Sequence, residues 1–230
     1  MKTSAIIAAG GSGSRMKTEE GKLFLELKGV PILLLALSIF DSCDIIDEII
    51  VPVPPDDIER VKQLVERAAL KKVRHIIQGG ATRQASVYNG LQVVSQDSDI
   101  IIIHDGARPF VSREMILDAV SQIRAHTAVI VGMPVKDTIK SVNDERLVSN
   151  TLDRELLWQV QTPQVFEAAL IKEAYQRAEK LGIRATDDAG LVERLGEKVK
   201  MISGSYENIK ITTQEDLILG EAILNSRHLR

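Results

Sequence analysis

The sequence predicts an α/β fold in which a mostly parallel sheet is flanked by helices. Apolar strand-like runs alternate with amphipathic helical runs along most of the 230 residues, and this alternation implies right-handed crossovers between parallel strands. Aromatic residues make up only 3% of the chain, and the aliphatic core this implies is typical of buried parallel strands. We therefore expect a Rossmann-like sheet that binds its ligands at the carboxyl ends of the strands.

The first part of the chain contains five strand candidates and four helical patterns. Strands are predicted at 5–9, 48–53, 74–78, 99–104 and 128–133. Helices are predicted between them at about 31–42, 56–69, 83–95 and 113–125. Pro31 suits a first helical position, and Ser112 is placed to cap the helix that follows it. The loops expected to hold ligands follow Ala9, Gln78, His104 and Met133.

The alternation breaks over the polar segment 135–166. This segment has short β-like runs and a turn-like pair, Asn143-Asp144, and we interpret it as an excursion from the core. We expect one domain, residues 1–230, with a protruding β-arm inserted at about 136–163. A polar hairpin buries little surface by itself, so Trp158, the only tryptophan, is a candidate anchor for the arm against the core or a partner.

The α/β pattern then resumes to the end of the chain. Helices are predicted at 167–181, 188–195 and about 215–226, and strands at 199–203 and 208–211. Thr212 with Glu215, and Thr213 with Asp216, have the spacing of a capping box before the last helix. No internal repeat or flexible linker divides the chain, which favours a single domain.

Composition argues against several classes of protein. The formal net charge is −3, so no overall basic balance favours nucleic acid or an anionic membrane. The longest apolar run, 30–37, is too short to span a bilayer, and the apolar run 5–9 is too short for a signal peptide. Cys43 is the only cysteine, which excludes an intrachain disulfide and a Cys-rich zinc site. We therefore expect a cytoplasmic protein.

A glycine loop follows the first predicted strand. The run Ala8-Ala9-Gly10-Gly11-Ser12-Gly13 leaves backbone amides free to surround an anion. It is not a dinucleotide fingerprint, because Met16 occupies the place of the last glycine, and Gly21-Lys22-Leu23 is not a P-loop. Arg15 and Lys22 would suit charge developing on a phosphorus centre. The spacing leaves open that both are solvated surface cations.

Several runs together resemble one family. AAGGSGSRM followed by Lys22 is similar to the signature of sugar-nucleotide pyrophosphorylases and related nucleotidyltransferases. The runs GGATRQASVYNGL, IIHDGARPFV, VKDTIKSV, TLDRELLWQVQTPQVF, TDD and NIKITTQEDL resemble the 2-C-methyl-D-erythritol 4-phosphate cytidylyltransferase family of non-mevalonate isoprenoid synthesis. The resemblance covers nearly the whole chain. The chain departs from it at Gly21 and Leu23, where the family has Pro and Gln, at Gly106, where Ala is frequent, and at Gln214, where Pro is common.

The resemblance implies a nucleotide-diphospho-sugar transferase type of fold and a reaction at the α-phosphorus of CTP. A phosphate oxygen of a small polyol phosphate attacks, and pyrophosphate leaves. Mg²⁺ bound with CTP is the expected cofactor, and Asp105 is its expected contact, direct or through water. The implied catalytic residues are Arg15, Lys22, Arg154 and Lys210. The implied CTP-binding residues are Ala8, Ala9, Gly10, Gly11, Gly13, Arg15, Lys22, Gly80, Ala81, Ser86, Asp105 and Ala107.

The implied residues for the acceptor substrate overlap with the catalytic ones. They are Asp105, Arg108, Thr138, Arg154, Thr162, Thr186 and Lys210. The residues themselves leave plainer roles open: a buried helix-turn serine for Ser86, a surface ion pair with Asp153 or Glu155 for Arg154, and helix caps for Thr186, Asp187 and Asp188. For His104 we expect a structural role only.

The resemblance also implies a homodimer in which the arm crosses to the second subunit and completes its site. Related acceptors remain open, and ribitol 5-phosphate is the alternative that leaves fold, nucleotide and mechanism unchanged. A uridylyl- or guanylyltransferase acting on a sugar 1-phosphate is more distant. A non-catalytic nucleotide-binding module is disfavoured because Arg15, Lys22, Asp105, Arg154 and Lys210 are all present. An NAD-dependent oxidoreductase is disfavoured by Met16.

Overall fold

The computed structural model describes residues 1–10 and 22–228, with the backbone alone for Lys22 and His228. Strands in this part of the chain are β1 (Thr3–Ala8), β2 (Glu26–Leu27), β3 (Val30–Pro31), β4 (Glu48–Val53), β5 (Val73–Gln78), β6 (Ile100–Asp105), β7 (Ala128–Pro134), β8 (Lys140–Val142), β9 (Val148–Thr151), β10 (Trp158–Glu167) and β11 (Lys200–Ser203). Helices are α1 (Ile32–Ser42), α2 (Ile58–Arg67), α3 (Arg83–Val93), α4 (Arg113–Gln122), α5 (Ala168–Leu181), α6 (Ala189–Glu193) and α7 (Gln214–His228).

One seven-stranded sheet organises the molecule, and its strand order is β11-β7-β10-β6-β1-β4-β5. The pairs β1–β4, β1–β6, β4–β5 and β11–β7 are parallel, whereas β10 is antiparallel to both of its neighbours. The predicted α/β class with a mostly parallel sheet is therefore confirmed. Because β1, β4, β5, β6 and β7 run in one direction, the loops that follow them lie at the same edge of the sheet.

Apolar residues of the sheet alternate between two helical layers. Leu37 of α1, Val61 of α2 and Ile116 of α4 pack on one face of the sheet. Val87 of α3 and Ile171 of α5 pack on the other face. A smaller third cluster holds α7 against the segment around the first helix. This burial on both faces explains the near-continuous Ile and Val runs of β4 and β6.

Predicted helix caps are present at two helices. The Ser112 side chain accepts a hydrogen bond from the amide of Met115 at 3.2 Å, which confirms it as the N-cap of α4. Before α7, the Thr213 hydroxyl accepts from the Asp216 amide and the Asp216 carboxylate accepts from the Thr213 amide, which is the reciprocal geometry of a capping box.

The sequence did not predict β10. The segment 135–166 was interpreted as an excursion from the core, but from Trp158 onward it is a strand in the middle of the sheet. Polar side chains caused the error: Gln161, Thr162 and Gln164 are buried and are hydrogen-bonded to Ser205, His104 and Ala189, respectively. A pattern based on polarity assigns such a strand to the surface.

Two further segments complete the description. The predicted strand at 208–211 is wrong: this stretch is irregular, and its amides bond singly, as Ile211 does to the Ala107 carbonyl at 2.9 Å. Strands β8 and β9 form a separate two-stranded antiparallel sheet, and every residue of β9 is exposed. Within residues 1–10 and 22–228, no helix has both the length and the apolar character needed to cross a bilayer.

Candidate active site

A pocket of about 390 Å³ opens at the carboxyl edge of the sheet. Its described lining comes from the end of β6, from β10, from the start of α3, from the loop before α6 and from the segment after β11. Eight residues that are sequence-predicted or charged line it: Arg83, Asp105, Arg108, Thr162, Thr186, Asp187, Glu193 and Lys210. The pocket therefore lies where α/β sheets usually bind their ligands, and several charged side chains converge there.

Asp105, the last residue of β6, is the centre of this cluster. Its carboxylate accepts a 2.7 Å ion-pair hydrogen bond from Arg83 Nε on Oδ1, and Lys210 Nζ lies 2.8 Å from Oδ2. Arg108 Nε lies 3.5 Å from the same Oδ2. Burial raises the pKa of this carboxyl, but Arg83 and Lys210 outweigh burial and hold the pKa far below its usual range. Asp105 therefore stays ionised.

Arg108 lies in the segment after β6 and Lys210 in the segment after β11. Two hydrogen bonds hold these segments together. Arg108 Nη1 donates to the Asn208 carbonyl at 2.8 Å, and the Ile211 amide donates to the Ala107 carbonyl at 2.9 Å. Burial lowers the pKa of Arg108 although Asp105 opposes this shift. The Lys210 side chain is 36% exposed, so it can leave Asp105 for an anion that enters the pocket.

Arg83 is the site residue that sequence reasoning missed. Besides Asp105, its guanidinium binds Asp188 through Nη1 at 3.0 Å and Nη2 at 2.7 Å. Burial opposes the charge, but Asp188 and Asp105 raise the pKa of Arg83 well above its ordinary value. Its place in the motif GGATRQAS, at the start of a helix beside a strand end, was the available signal. The sequence did not show that the side chain points to Asp105.

Beneath Arg83 the network continues into the core. The fully buried Asp188 also accepts a hydrogen bond from the Tyr175 hydroxyl. Burial first, and Asp188 second, raise the pKa of Tyr175 well above its usual value. The neighbouring Asp187 accepts from Gln164 Nε2 at 2.8 Å and from the Gly190 amide at 3.2 Å. Asp187 is thus a cap of the short α6, whereas Asp188 is the partner of Arg83.

His104 holds a fixed place under the pocket floor. Its Nε2 lies 3.0 Å from the Arg108 carbonyl, which can only accept, so Nε2 carries the proton. Burial lowers the pKa of His104 to about 4, so the ring is neutral and Nδ1 accepts from the Thr162 hydroxyl at 2.9 Å. The same hydroxyl accepts the Asp105 amide at 3.1 Å. His104 is structural, as the sequence predicted, and it orients Thr162.

The loops after β1 and β5 touch each other. A Cβ atom on Gly10 would lie 2.3 Å from Ser86 Oγ, and one on Gly80 would lie 2.4 Å from the Ala85 Cβ. Only glycine permits these approaches. Ser86 Oγ accepts the Gly80 amide at 3.0 Å and donates to the Thr82 carbonyl at 2.9 Å, and the residue is 1% exposed. Ser86 therefore organises the 79–82 loop around Gly10.

Ala8, Ala9 and Ala107 lie beside this contact. Ala8 is paired with Asp105 in the β1–β6 register, and its carbonyl accepts the Gly106 amide at 2.9 Å. The Ala9 amide donates to the Pro52 carbonyl at 3.1 Å. Ala81, in the same loop as Gly80, is exposed. Among the described residues predicted to bind CTP, only Asp105 lines the pocket, while Ala8 pairs with Asp105 across the β1–β6 register.

Some predicted site residues lie elsewhere. Thr138 and Arg154 are exposed and are not among the described lining of this pocket. Arg154 Nη1 donates to the Lys136 carbonyl at 3.0 Å, and none of the ion pairs among residues 1–10 and 22–228 joins it to Asp153 or Glu155. The predicted residues Gly11, Gly13 and Arg15 lie outside the described residues, as does the side chain of Lys22.

The donors around Asp105 fit a metal ion that arrives with a nucleotide. In the part of the chain that the structure describes, no group of three or more His, Cys, Asp or Glu side chains is arranged to hold a metal. Asp105 offers one carboxylate, and one of its oxygens faces the exchangeable Lys210. Mg²⁺ is typically held by one or two carboxylates together with substrate phosphates and water, and this donor set meets that requirement.

At the level of class, this chain is an α/β enzyme of the nucleotidyltransferase type, because a mostly parallel sheet presents a glycine turn and exchangeable cations at its carboxyl edge. Residues 3–226 match the family model described as 2-C-methyl-D-erythritol 4-phosphate cytidylyltransferase. The chain belongs to this family. It is accordingly an enzyme that transfers the cytidylyl group of CTP to 2-C-methyl-D-erythritol 4-phosphate, with pyrophosphate as the leaving group, in isoprenoid precursor biosynthesis.

Individual relatives agree with the family match. A protein of that name from Alkaliphilus oremlandii is 46% identical over 227 residues, covering 98% of this chain and 96% of the relative. One from Caldanaerobacter subterraneus is 44% identical over 225 residues, covering 97% and 99%. The crystal structure of 4-diphosphocytidyl-2C-methyl-D-erythritol synthase from Anaerococcus prevotii superposes with a TM-score of 0.87 at 36% identity, covering 97% of this chain and 98% of that one.

Proposed function

We propose that CTP and the acceptor phosphate meet in the pocket around Asp105, and that the residues of this pocket carry out the transfer. The observation that carries the proposal is the convergence of Lys210, Arg108 and Arg83, from three separate segments, on one carboxylate at the carboxyl end of β6. Cations positioned before the reaction stabilise charge that develops on a phosphorus centre without reorganising.

The nucleotide base lies, in this proposal, between the loop after β1 and the 79–82 loop. Gly10 and Gly79 bring these two backbones together, and Ser86 shapes the second loop from below. Backbone groups of this kind recognise the polar edge of a flat base without side-chain obstruction. Ala8, Ala9 and Ala107 then line the path from the base to the phosphates, and the amides of Gly11 and Gly13 contact the triphosphate.

Lys210 orients the attacking phosphate of the acceptor. Its Nζ is held 2.8 Å from Asp105 and its side chain reaches solvent, so an arriving phosphate can replace Asp105 as its partner. Thr162, Thr186 and Arg108 lie in the same pocket and contact the acceptor. Arg15 and Lys22 stabilise the transition state from the glycine loop. Little covalent chemistry is needed, since positioning and electrostatics dominate phosphoryl-type transfers.

Mg²⁺ is the proposed cofactor. When bound, the ion neutralises part of the charge on the triphosphate and orients it for in-line attack. Asp105 would hold it, directly or through a water molecule, by the oxygen that Lys210 releases. Arg83 remains bonded to the other oxygen, Oδ1, so the Asp105 carboxylate would offer a metal ion only one oxygen, Oδ2.

The enzyme is proposed to be a cytoplasmic homodimer whose arm, the part of the predicted segment 136–163 that precedes β10 together with the exposed start of that strand, completes the site of the second subunit. Thr138 and Arg154 are exposed in their own chain. The arm region also exposes an unusual set of large apolar side chains: Val142, Leu147, Val148, Leu152, Leu156, Trp158 and Val160. Contiguous exposed apolar surface indicates an interaction site, and a second copy of the chain is the partner that would also use Arg154.

Pyrophosphate release measures the proposed activity directly. The purified enzyme is given each of four nucleoside triphosphates with 2-C-methyl-D-erythritol 4-phosphate, ribitol 5-phosphate or no acceptor, with and without Mg²⁺. We expect release only with CTP, the methylerythritol phosphate and Mg²⁺ together. Faster turnover with ribitol 5-phosphate would reassign the acceptor, and turnover with UTP or GTP would reassign the nucleotide.

A further inference from the structure

We propose that Arg83 is a positioning residue for the transfer: locked in place by Asp188, it holds one oxygen of the Asp105 carboxylate and so keeps Lys210 exchangeable. The inference rests on the proposed function, because it assigns Arg83 a task in the same pocket. Arg83 does not touch the reacting atoms in this account and acts only through Asp105.

The three nitrogens of the Arg83 guanidinium are divided between two carboxylates. Nη1 and Nη2 form a two-pronged contact with Asp188 at 3.0 and 2.7 Å, while Nε donates to Asp105 Oδ1 at 2.7 Å. Because the group is planar, it cannot rotate toward one partner without losing the other. The position of the Asp105 carboxylate is therefore set by Asp188.

Asp188 is in turn anchored in the core. It is fully buried, and its Oδ1 accepts from the hydroxyl of the buried Tyr175 on α5. The chain of contacts runs from the helical layer to the pocket through Tyr175, the buried Asp188, the partly exposed Arg83 and Asp105. Networks of this type orient the groups that contact substrate.

Asp105 would be arranged differently without Arg83. Lys210 Nζ lies 2.8 Å from Oδ2, and Arg108 Nε lies 3.5 Å from it. With Oδ1 released, the carboxylate could turn both oxygens toward these two cations and neutralise them. A lysine bound in this way exchanges less readily for a phosphate. Arg83 thus shares the charge of Asp105 and weakens its hold on Lys210.

The variant that tests the proposal is Arg83→Gln combined with Asp188→Asn. Arg83→Gln alone leaves Asp188 buried, charged and without its cation, which disfavours folding. The double variant removes both charges: Asp188→Asn keeps the shape of the side chain, and Arg83→Gln keeps a shorter polar group that cannot reach both carboxylates. We expect the double variant to fold and its kcat to fall about 100-fold, which is the effect of displacing an active-site group by about 1 Å. CTP affinity measured by calorimetry stays within about threefold of wild type.

Two comparisons separate positioning from a structural role. Leu91→Ala weakens the same helix, α3, at a core position that does not touch Asp105, so it lowers the melting temperature and leaves kcat near wild type. Adding Lys210→Ala to the double variant causes little further loss of kcat, because Lys210 is already sequestered. In the wild-type background, Lys210→Ala has its full effect.

Several results would overturn the inference. They are wild-type kcat in a folded double variant, an equal loss of kcat in Leu91→Ala at matched stability, or a full additional loss from Lys210→Ala in the double variant. The wild-type enzyme is assayed alongside. If it released no pyrophosphate from CTP and the methylerythritol phosphate, the proposed function would fail, whereas the outcomes above concern Arg83 alone.

Discussion

At the scale of single residues, the Asp105 carboxylate is the group around which the cations of the site are arranged. Its two carboxylate oxygens have different partners: Arg83, which is locked, and Lys210, which is partly exposed. An ionised carboxylate between two cations is stable until a stronger anion arrives, and a nucleotide or an acceptor phosphate is such an anion. The site is thus poised for an exchange of ion pairs. Predictions at this scale concern Lys210 and the buried His104.

Lys210→Ala is expected to lower kcat by about 100-fold, because it removes one cation that is positioned for the transition state. The matched control is Lys200→Ala, which removes an exposed lysine at the start of β11 and should leave kcat unchanged. Pyrophosphate release at saturating CTP measures both variants. Equal activity of the two variants would show that Lys210 has no part in the reaction.

The buried His104 should make the free energy of unfolding depend on pH. Its folded-state pKa is about 4, below the ordinary 6.5, because burial disfavours its charge. The unfolded chain therefore binds more protons between pH 6.5 and pH 4, so the contribution of His104 to stability is complete above pH 6.5 and falls by about 3 kcal/mol as pH drops to 4. Urea unfolding across this range should show the loss.

The loss of stability is assigned to His104 by substitution. His104→Gln is expected to be less stable than wild type at pH 7 and to show a flatter decline of unfolding free energy toward pH 4. His75→Gln, which replaces an exposed histidine on β5, should retain the wild-type decline. A wild-type slope in His104→Gln would mean that other groups cause the acid sensitivity.

At the scale of elements, α3 connects the 79–82 loop to the charged cluster around Asp105. Thr82 caps the helix, and its Oγ1 accepts from the Ala85 amide at 3.1 Å. The next residue is Arg83, and Gln84 holds the loop before α6 through Ile183 and Ala185. One helix terminus therefore positions three segments of the site, whereas the cap of α4 positions none of them.

Two cap variants should distinguish these helices. Thr82→Ala and Ser112→Ala each remove one side-chain cap, and each is expected to cost about 1 kcal/mol of stability. Thr82→Ala should also raise the KM for CTP, because the 79–82 loop loses its anchor, whereas Ser112→Ala should leave the KM unchanged. Thermal unfolding and steady-state kinetics provide the two measurements. A KM for CTP that responds equally to both caps would contradict this role of α3.

β10 shows what local pattern cannot reveal about an element. Near-continuous apolar runs predicted β1, β4, β6 and β7, because these strands bury aliphatic side chains on both faces. β10 buries Gln161, Thr162 and Gln164 instead, and their partners come from segments far away in the chain. A polar strand in the middle of a sheet is stable only when tertiary hydrogen bonds satisfy it.

At the scale of the whole molecule, the proposed dimer can be tested by complementation. Arg154→Ala and Lys210→Ala subunits, each inactive alone, are co-expressed with different tags. If the arm serves the partner's pocket, the mixed dimer contains one intact site, and the mixture regains about a quarter of wild-type activity. If Arg154 serves its own pocket, no mixed dimer has an intact site and activity stays lost. A monomeric mass by light scattering, with full activity, would also exclude the dimer.

The sequence by itself predicted α1 to α7, every strand of the main sheet except β10, the mostly parallel arrangement and the family, since periodicity, caps and motifs reside in consecutive residues. The tertiary structure alone decided that β10 lies between β6 and β7, that residues 208–211 are irregular, and that Arg83 joins Asp105 to Asp188. Contacts between distant segments depend on strand order and on the direction of each side chain. Neither property is encoded in a local pattern, so only the folded chain reveals them.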